Sequence, residues 1–307
     1  MLVVCGEALV DVFRGADGST EETPGGSPMN VAVGLARLGV PATLITQLGD
    51  DERATALVEH VRASGAEVLV SPTRSGRTSV AVATLDAGGA ATYDFDLEWS
   101  LPRQSLPEAR GLHVGSLGTV LEPGRESVAD LVDQACARGL LVSFDVNVRP
   151  SFVDDAAAAW ASAADLAARC TLVKLSDEDA LVLRPDASPD DTARQLLGGE
   201  RTRLVLLTRG PDGGTAFTSQ AEVSVLPRPT AVVDTVGAGD AFMAGTLARL
   251  HDEAAYDAPD RLGDLDHDDL ALLLSGAVEV AAITCERRGA NPPTRDELPA
   301  GWPGPRR

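Results

Sequence analysis

The chain has 307 residues, 46 acidic side chains against 26 Lys+Arg, a net charge of −20 and 44% hydrophobic residues. Such a composition excludes global disorder and supplies ample chain for a buried core. The acidic balance repels nucleic-acid phosphates and anionic lipid, so neither nucleic acid nor a membrane is expected as a partner; a small anionic substrate feels only its local site.

Residues 2–5 read as a buried strand ending in Gly6-Glu7. No basic segment with an apolar core opens the chain, and no apolar run is long enough for a bilayer, which predicts a cytoplasmic protein. Residues 31–38 read as a helix, stopped by Gly39 with Pro41 beyond. A strand at 43–46 precedes Gly49-Asp50, and a helix at 53–64 is closed by Gly65. Segments 78–86 and 90–97 alternate in period two around Asp86-Ala87-Gly88-Gly89, which predicts a hairpin forming a β-rich flap outside the main sheet. Short apolar runs at 112–114, 140–145, 172–175 and 204–208 read as buried strands, with a helix at 126–138. Residues 257–269 read as acidic and irregular, and 291–307 as a Pro-rich extended tail. Strands alternating with helices predict an α/β fold of three layers, helices covering both faces of a mostly parallel sheet. Ligands bind beyond the carboxyl ends of such strands. Gly6-Glu7, Gly49-Asp50 and Asp145-Val146-Asn147 should therefore face one cleft.

Lys174 is the only lysine, the other 25 basic residues being Arg, a skew attributed to genome base composition. Val173 precedes it, so no Walker A loop exists, and a phosphate site must use backbone amides and Arg. Cys5, Cys136, Cys170 and Cys285 are scattered and read as reduced thiols. His60, His113, His251 and His267 lack metal spacing. Asp264-x-Asp266-x-Asp268 fails as a calcium loop, because Asp269 stands where the Gly belongs.

The segment 234–245, Asp-Thr-Val-Gly-Ala-Gly-Asp-Ala-Phe-Met-Ala-Gly, carries the chemistry. A small-residue loop runs into a helix N-terminus, where free amides and the helix dipole favour an anion. Asp240 in the first turn can take a proton from a hydroxyl attacking that anion. Gly237-Ala-Gly239 also partly matches a dinucleotide fingerprint, but Phe242 occupies the third Gly position, which disfavours hydride transfer. Earlier, Gly25-Gly26-Ser27-Pro28-Met29-Asn30 permits close backbone approach and offers an amide to a neutral polyol; taken alone, the segment reads first as an ordinary Gly-rich loop with a capping Asn.

Together these two segments resemble the signatures of the ribokinase-like (PfkB) carbohydrate kinases. The resemblance extends through Gly6-Glu7…Asp11, Gly49-Asp50, the hairpin and Ser143-Phe-Asp-Val-Asn-Val-Arg-Pro150, and is greatest toward bacterial fructokinases. It implies one ribokinase-like domain over 1–307 with a lid from about 12–24 and 73–100. It implies Asp240 as general base and the amides of Gly237, Ala238 and Gly239 as the anion hole. Asp11, Gly25, Gly26 and Asn30 would bind the sugar, with Arg149 as a further candidate. Ser176, Thr208, Gly210 and Gly213 would meet the nucleotide. ATP with Mg²⁺ is implied, and a monovalent cation, K⁺, at Asp234, the Val236 carbonyl and the 285–291 loop. The family's Asn-x-x-Glu is replaced by Ser176 and Asp179; Asp179 keeps a carboxylate for a water-mediated Mg²⁺ role, with Glu178 beside it. Family lids imply a homodimer through the lid. The expected activity is phosphorylation of fructose to fructose 6-phosphate. The alternatives are 2-keto-3-deoxygluconate, whose carboxylate Arg149 or Arg103 would meet, another sugar or a nucleoside, and a non-catalytic sugar-binding regulator. Trp99 and Phe95 would line the sugar site or pack a flap interface.

Overall fold

The computed structural model describes residues 1–15, 18–85 and 91–302. The expected turn at 86–89 and the end of the tail, 303–307, lie outside the described residues.

In chain order the elements are β1 (Leu2–Cys5), β2 (Leu9–Arg14), β3 (Thr20–Gly25), α1 (Ser27–Arg37), β4 (Ala42–Leu48), α2 (Glu52–Ala63), β5 (Glu67–Pro72), β6 (Val80–Leu85) and β7 (Ala91–Asp96). There follow β8 (Gly111–Gly115), α3 (Gly124–Ala137), β9 (Leu141–Asp145), α4 (Ala156–Ala168), β10 (Leu172–Ser176), α5 (Asp177–Leu183), α6 (Pro189–Leu197) and β11 (Leu204–Thr208). The chain then forms β12 (Gly214–Phe217), β13 (Glu222–Val225), α7 (Ala238–Asp252) and α8 (His267–Cys285).

The main sheet runs β13-β12-β11-β10-β9-β8-β1-β4-β5, parallel from β5 through β11 and antiparallel at β12 and β13. Its inner strands are apolar on both faces, as burial beneath two helix layers requires. Leu2, Val4, Leu44, Leu172 and Leu206 meet α1, α2, α7 and α8 on one side. Val3, Ile45, Val114, Phe144 and Val173 meet α3, α4, α5 and α6 on the other.

A second sheet, β3-β2-β6-β7, stands apart, with β2 and β6 parallel and the outer pairs antiparallel. Carboxylates moor it to the main body. Asp51 caps α2 through the Ala54 N–H at 2.9 Å and also accepts from Thr78 N and Oγ1, at 2.8 and 2.6 Å, just before β6. Glu98, after β7, accepts from the amides of Arg74 and Ser75. Phe95 meets Phe152 edge-on, ring centroids 5.2 Å apart.

Several expectations need correction. The first helix starts at Ser27 rather than 31, because Pro28 suits a first turn and Gly26, at φ 110°, makes the bend into it. Residues 257–269 are not wholly irregular: Asp266 caps α8 through the Asp269 N–H, so the Asp run opens a helix. The tail is not simply extended. It makes a 3₁₀ turn at Arg295–Glu297, and Trp302 Nε1 donates to the Gly276 carbonyl at 3.0 Å. Trp99 is buried in the main core, its Nε1 donating to the Gly118 carbonyl at 2.9 Å, so it packs rather than lines a sugar site.

Candidate active site

Beyond the carboxyl ends of the parallel strands, the early and late Gly-rich segments meet. The N-termini of α1 and α7 converge on Asp240, which is buried. Ser27 Oγ donates to its Oδ1 at 2.7 Å, and Asn30 Nδ2 to its Oδ2 at 2.8 Å. Both partners lie more than 200 residues away in sequence. Gly237 adopts φ 75°, and a Cβ there would fall 2.6 Å from that of Ala290. The αL turn and this close approach both demand glycine. First-turn amides of a helix lack intrahelical acceptors, so the loop can face an anion with N–H groups. Ala238 N–H donates to the Thr235 carbonyl at 3.2 Å.

Asp11, on β2, reaches over the end of β3: a Cβ on Gly25 would lie 2.1 Å from Asp11 Oδ2. A Cβ on Gly26 would lie 2.6 Å from the Glu7 carbonyl oxygen. Burial, reinforced by Asp240 and opposed by Arg149, pushes the Asp11 carboxyl up to about 6. Arg149 is exposed, and its charge acts on both Asp11 and Glu7.

Asp234 bridges two loops, Oδ1 accepting from Val236 N–H at 3.0 Å and Oδ2 from Gly289 N–H at 2.8 Å. The Cys285 carbonyl accepts from Val233 and Asp234 N–H. Asp234, Val236 and the 285–291 loop thus come together. Ser176 caps α5 in a reciprocal box with Asp179. Asp179 Oδ2 accepts from Ser176 N–H at 2.8 Å and Oδ1 from Val148 N–H at 2.7 Å. Each oxygen keeps a second lone pair for a metal-bound water. Thr208 pairs in register with Ser176 and with Gly214. Gly210 and Gly213 turn the following loop at φ 49° and 88°.

The pfkB family carbohydrate kinase profile matches residues 1–297. The chain belongs to the PfkB family of carbohydrate kinases. It is 34% identical over 314 residues to a fructokinase of Klebsiella pneumoniae, covering 96% of this chain and 97% of that one. It is 33% identical over 263 residues to a fructokinase of Rhizobium leguminosarum bv. trifolii, covering 81% and 79%. The fold superposes on a Xylella fastidiosa fructokinase with bound ATP at TM-score 0.80 and 25% identity, covering 97% and 94%. The chain is accordingly a sugar kinase, and its ribokinase-like three-layer fold agrees with the sequence-based expectation.

Three features of this PfkB kinase site escaped sequence reasoning. Sequence alone gives Ser27 no role beyond its Gly-rich loop. Glu7 is buried, its Oε2 accepting from Gly118 N–H at 2.8 Å, and desolvation pushes its carboxyl up to about 7 against the pull of these bonds and Arg149. Lys174 lies buried beneath the late signature. Its Nζ is 2.9 and 3.1 Å from the two oxygens of the fully buried Asp145, and a Cβ on Gly239 would sit 3.1 Å from it. Burial works against the Lys174 charge, but Asp145, Asp179 and Asp240 outweigh it and raise its pKa. The available signal was that a chain using Arg elsewhere keeps one lysine; an ammonium fits such a space better than a planar guanidinium.

Proposed function

We propose that this kinase transfers the γ-phosphoryl group of ATP to the primary hydroxyl of a sugar, fructose yielding fructose 6-phosphate. The observation that carries the reading is the meeting of the two signatures: a carboxylate in the first turn of α7, at the amide-lined loop, hydrogen-bonded to the polyol-facing start of α1. Asp240 accepts the proton of the attacking hydroxyl as its oxygen bonds to the γ-phosphorus and the bond to the β,γ-bridging oxygen breaks, releasing ADP. The amides of Gly237, Ala238 and Gly239 face the charge developing on the transferring group, Ala238 exchanging its bond to Thr235 for the phosphoryl oxygen.

Asp11, Gly25, Gly26 and Asn30 hold the sugar hydroxyls. Ser176, Thr208, Gly210 and Gly213 line the nucleotide side. Mg²⁺, held through water by Asp179, neutralises phosphate charge when bound. Asp234 and the Val236 carbonyl would hold K⁺, which would supply charge that steadies the loop carrying the anion hole. The second sheet acts as the lid, excluding water, and supplies the surface of a homodimer. Arg149 is exposed and acts electrostatically on Asp11 and Glu7. The likeness to the Klebsiella and Rhizobium fructokinases favours fructose over 2-keto-3-deoxygluconate as the acceptor.

The test is ADP release with Mg·ATP over fructose, ribose, 2-keto-3-deoxygluconate and adenosine, with and without K⁺, beside Asp240→Asn. Turnover should peak with fructose, and Asp240→Asn should lose roughly 10²–10⁴-fold in kcat while still binding sugar. Preference for another acceptor would replace the fructose assignment. Equal turnover by the variant would remove Asp240 as the base, and sugar binding without turnover on any acceptor would favour the regulator.

A further inference from the structure

Asp240 is not a bare carboxylate. Ser27 Oγ donates to Oδ1 and Asn30 Nδ2 to Oδ2, so each oxygen already carries one hydrogen bond within a buried pocket. The donors differ in kind. Asn30 is an amide one turn into α1, fixed by its own N–H bond to the Gly26 carbonyl at 2.9 Å. Ser27 carries a hydroxyl, the same functional group that the substrate brings, on a short side chain with a rotatable O–H.

We propose that the Ser27 hydroxyl is a surrogate for the attacking hydroxyl: it occupies Asp240 Oδ1 while the sugar is absent and yields that oxygen to the substrate. Resting on Asp240 being the base, the inference assigns Ser27 a positioning role with two consequences. The first is chemical economy. A water at Oδ1 would be deprotonated and would attack bound ATP, giving ADP and inorganic phosphate; a serine hydroxyl held there excludes that water. Ser27 is itself buried, at the first turn of α1.

The second consequence is a difference between the free enzyme and the sugar complex. A donor to an ionised carboxylate stabilises the charged form. The other charges facing Asp240 are Asp11 from β2, Asp145 from β9 and Lys174 from β10, with Arg149 acting on Asp11. Ser27→Ala leaves all of these in place and removes one donor. The pH profile of kcat/KM reports the free enzyme, and that of kcat the sugar complex. Loss of one charge-assisted bond corresponds to about one pH unit.

The experiment compares wild type, Ser27→Ala, Ser27→Thr and Asp240→Asn, using fructose or whichever acceptor gives turnover. In Ser27→Ala the acid limb of kcat/KM should move up by about one pH unit, while the acid limb of kcat stays in place. Its sugar-independent ATP hydrolysis should rise several-fold relative to transfer. Ser27→Thr, which keeps a hydroxyl, should restore both properties toward wild type. Equal movement of both limbs would show that Ser27 stays on Asp240 in the complex, and movement of neither would show that the bond does not matter; either result overturns the proposal. So would a higher sugar KM with unchanged hydrolysis, which makes Ser27 a sugar ligand. Transfer undiminished in Asp240→Asn would instead sink the base assignment beneath it, so the two failures are distinguishable.

Discussion

Glu7 is a carboxyl group placed where charge is costly, and its pH dependence follows from that. Burial raises its folded-state pKa from 4.5 to about 7. The folded chain therefore binds a proton that the unfolded chain has lost across this interval. The associated stability is fully present below pH 4.5 and disappears as pH climbs through 7, up to about 3 kcal/mol in all. Glu7→Gln keeps an acceptor for the Gly118 N–H but does not titrate. The melting temperature of Glu7→Gln relative to wild type should thus rise steadily between about pH 4.5 and pH 7. A difference that does not change with pH would show that Glu7 titrates normally. Gly6-Glu7 is legible as a strand exit, but the structure buries Glu7 rather than turning it to a cleft. The interior position of its side chain is not legible, because it depends on Gly118, 111 residues further on.

At the scale of elements, the inner strands announced themselves. A parallel strand covered on both faces needs an uninterrupted apolar run, and β1, β9, β10 and β11 each have one, save that Ser143 and Lys174 interrupt β9 and β10 toward α1 and α7. The strand β3, Thr-Glu-Glu-Thr-Pro-Gly, has no such run; it is largely exposed and gains its form from pairing with β2. The short antiparallel β12 and β13, four residues each, were likewise hidden; β12 pairs with β11 and β13 with β12. Asp51 shows how such dependent elements are held. It caps α2 and at the same time fixes Thr78 at the entrance to β6. Asp51→Ala should cost about 2 kcal/mol in chemical denaturation. It should also speed amide exchange in Val80–Leu85 more than in β1. Uniform acceleration across both sheets would mean that Asp51 serves only the helix.

For the molecule as a whole, the motif segments were readable because close approach to a ligand restricts residue type locally. The supporting charges were not, since Lys174 and Asp145 become neighbours only when β9 and β10 pair. The net charge of −20 is also a property of the whole. Like charges repel over a Debye length that shrinks from about 30 Å at 0.01 M salt to about 8 Å at 0.15 M. The exposed ion pairs, such as Arg77–Asp96 and Arg169–Asp165, oppose this only weakly, each being worth about 0–1 kcal/mol. Raising choline chloride across that range should therefore raise the melting temperature. A fall would mean that the ion pairs outweigh the repulsion.

The solitary lysine has a practical consequence. With Lys174 only 5% exposed at its side chain, amine-directed reagents meet no exposed lysine on the folded molecule. Acylation of Lys174 therefore counts molecules in which β10 and α7 have parted, one amine for each.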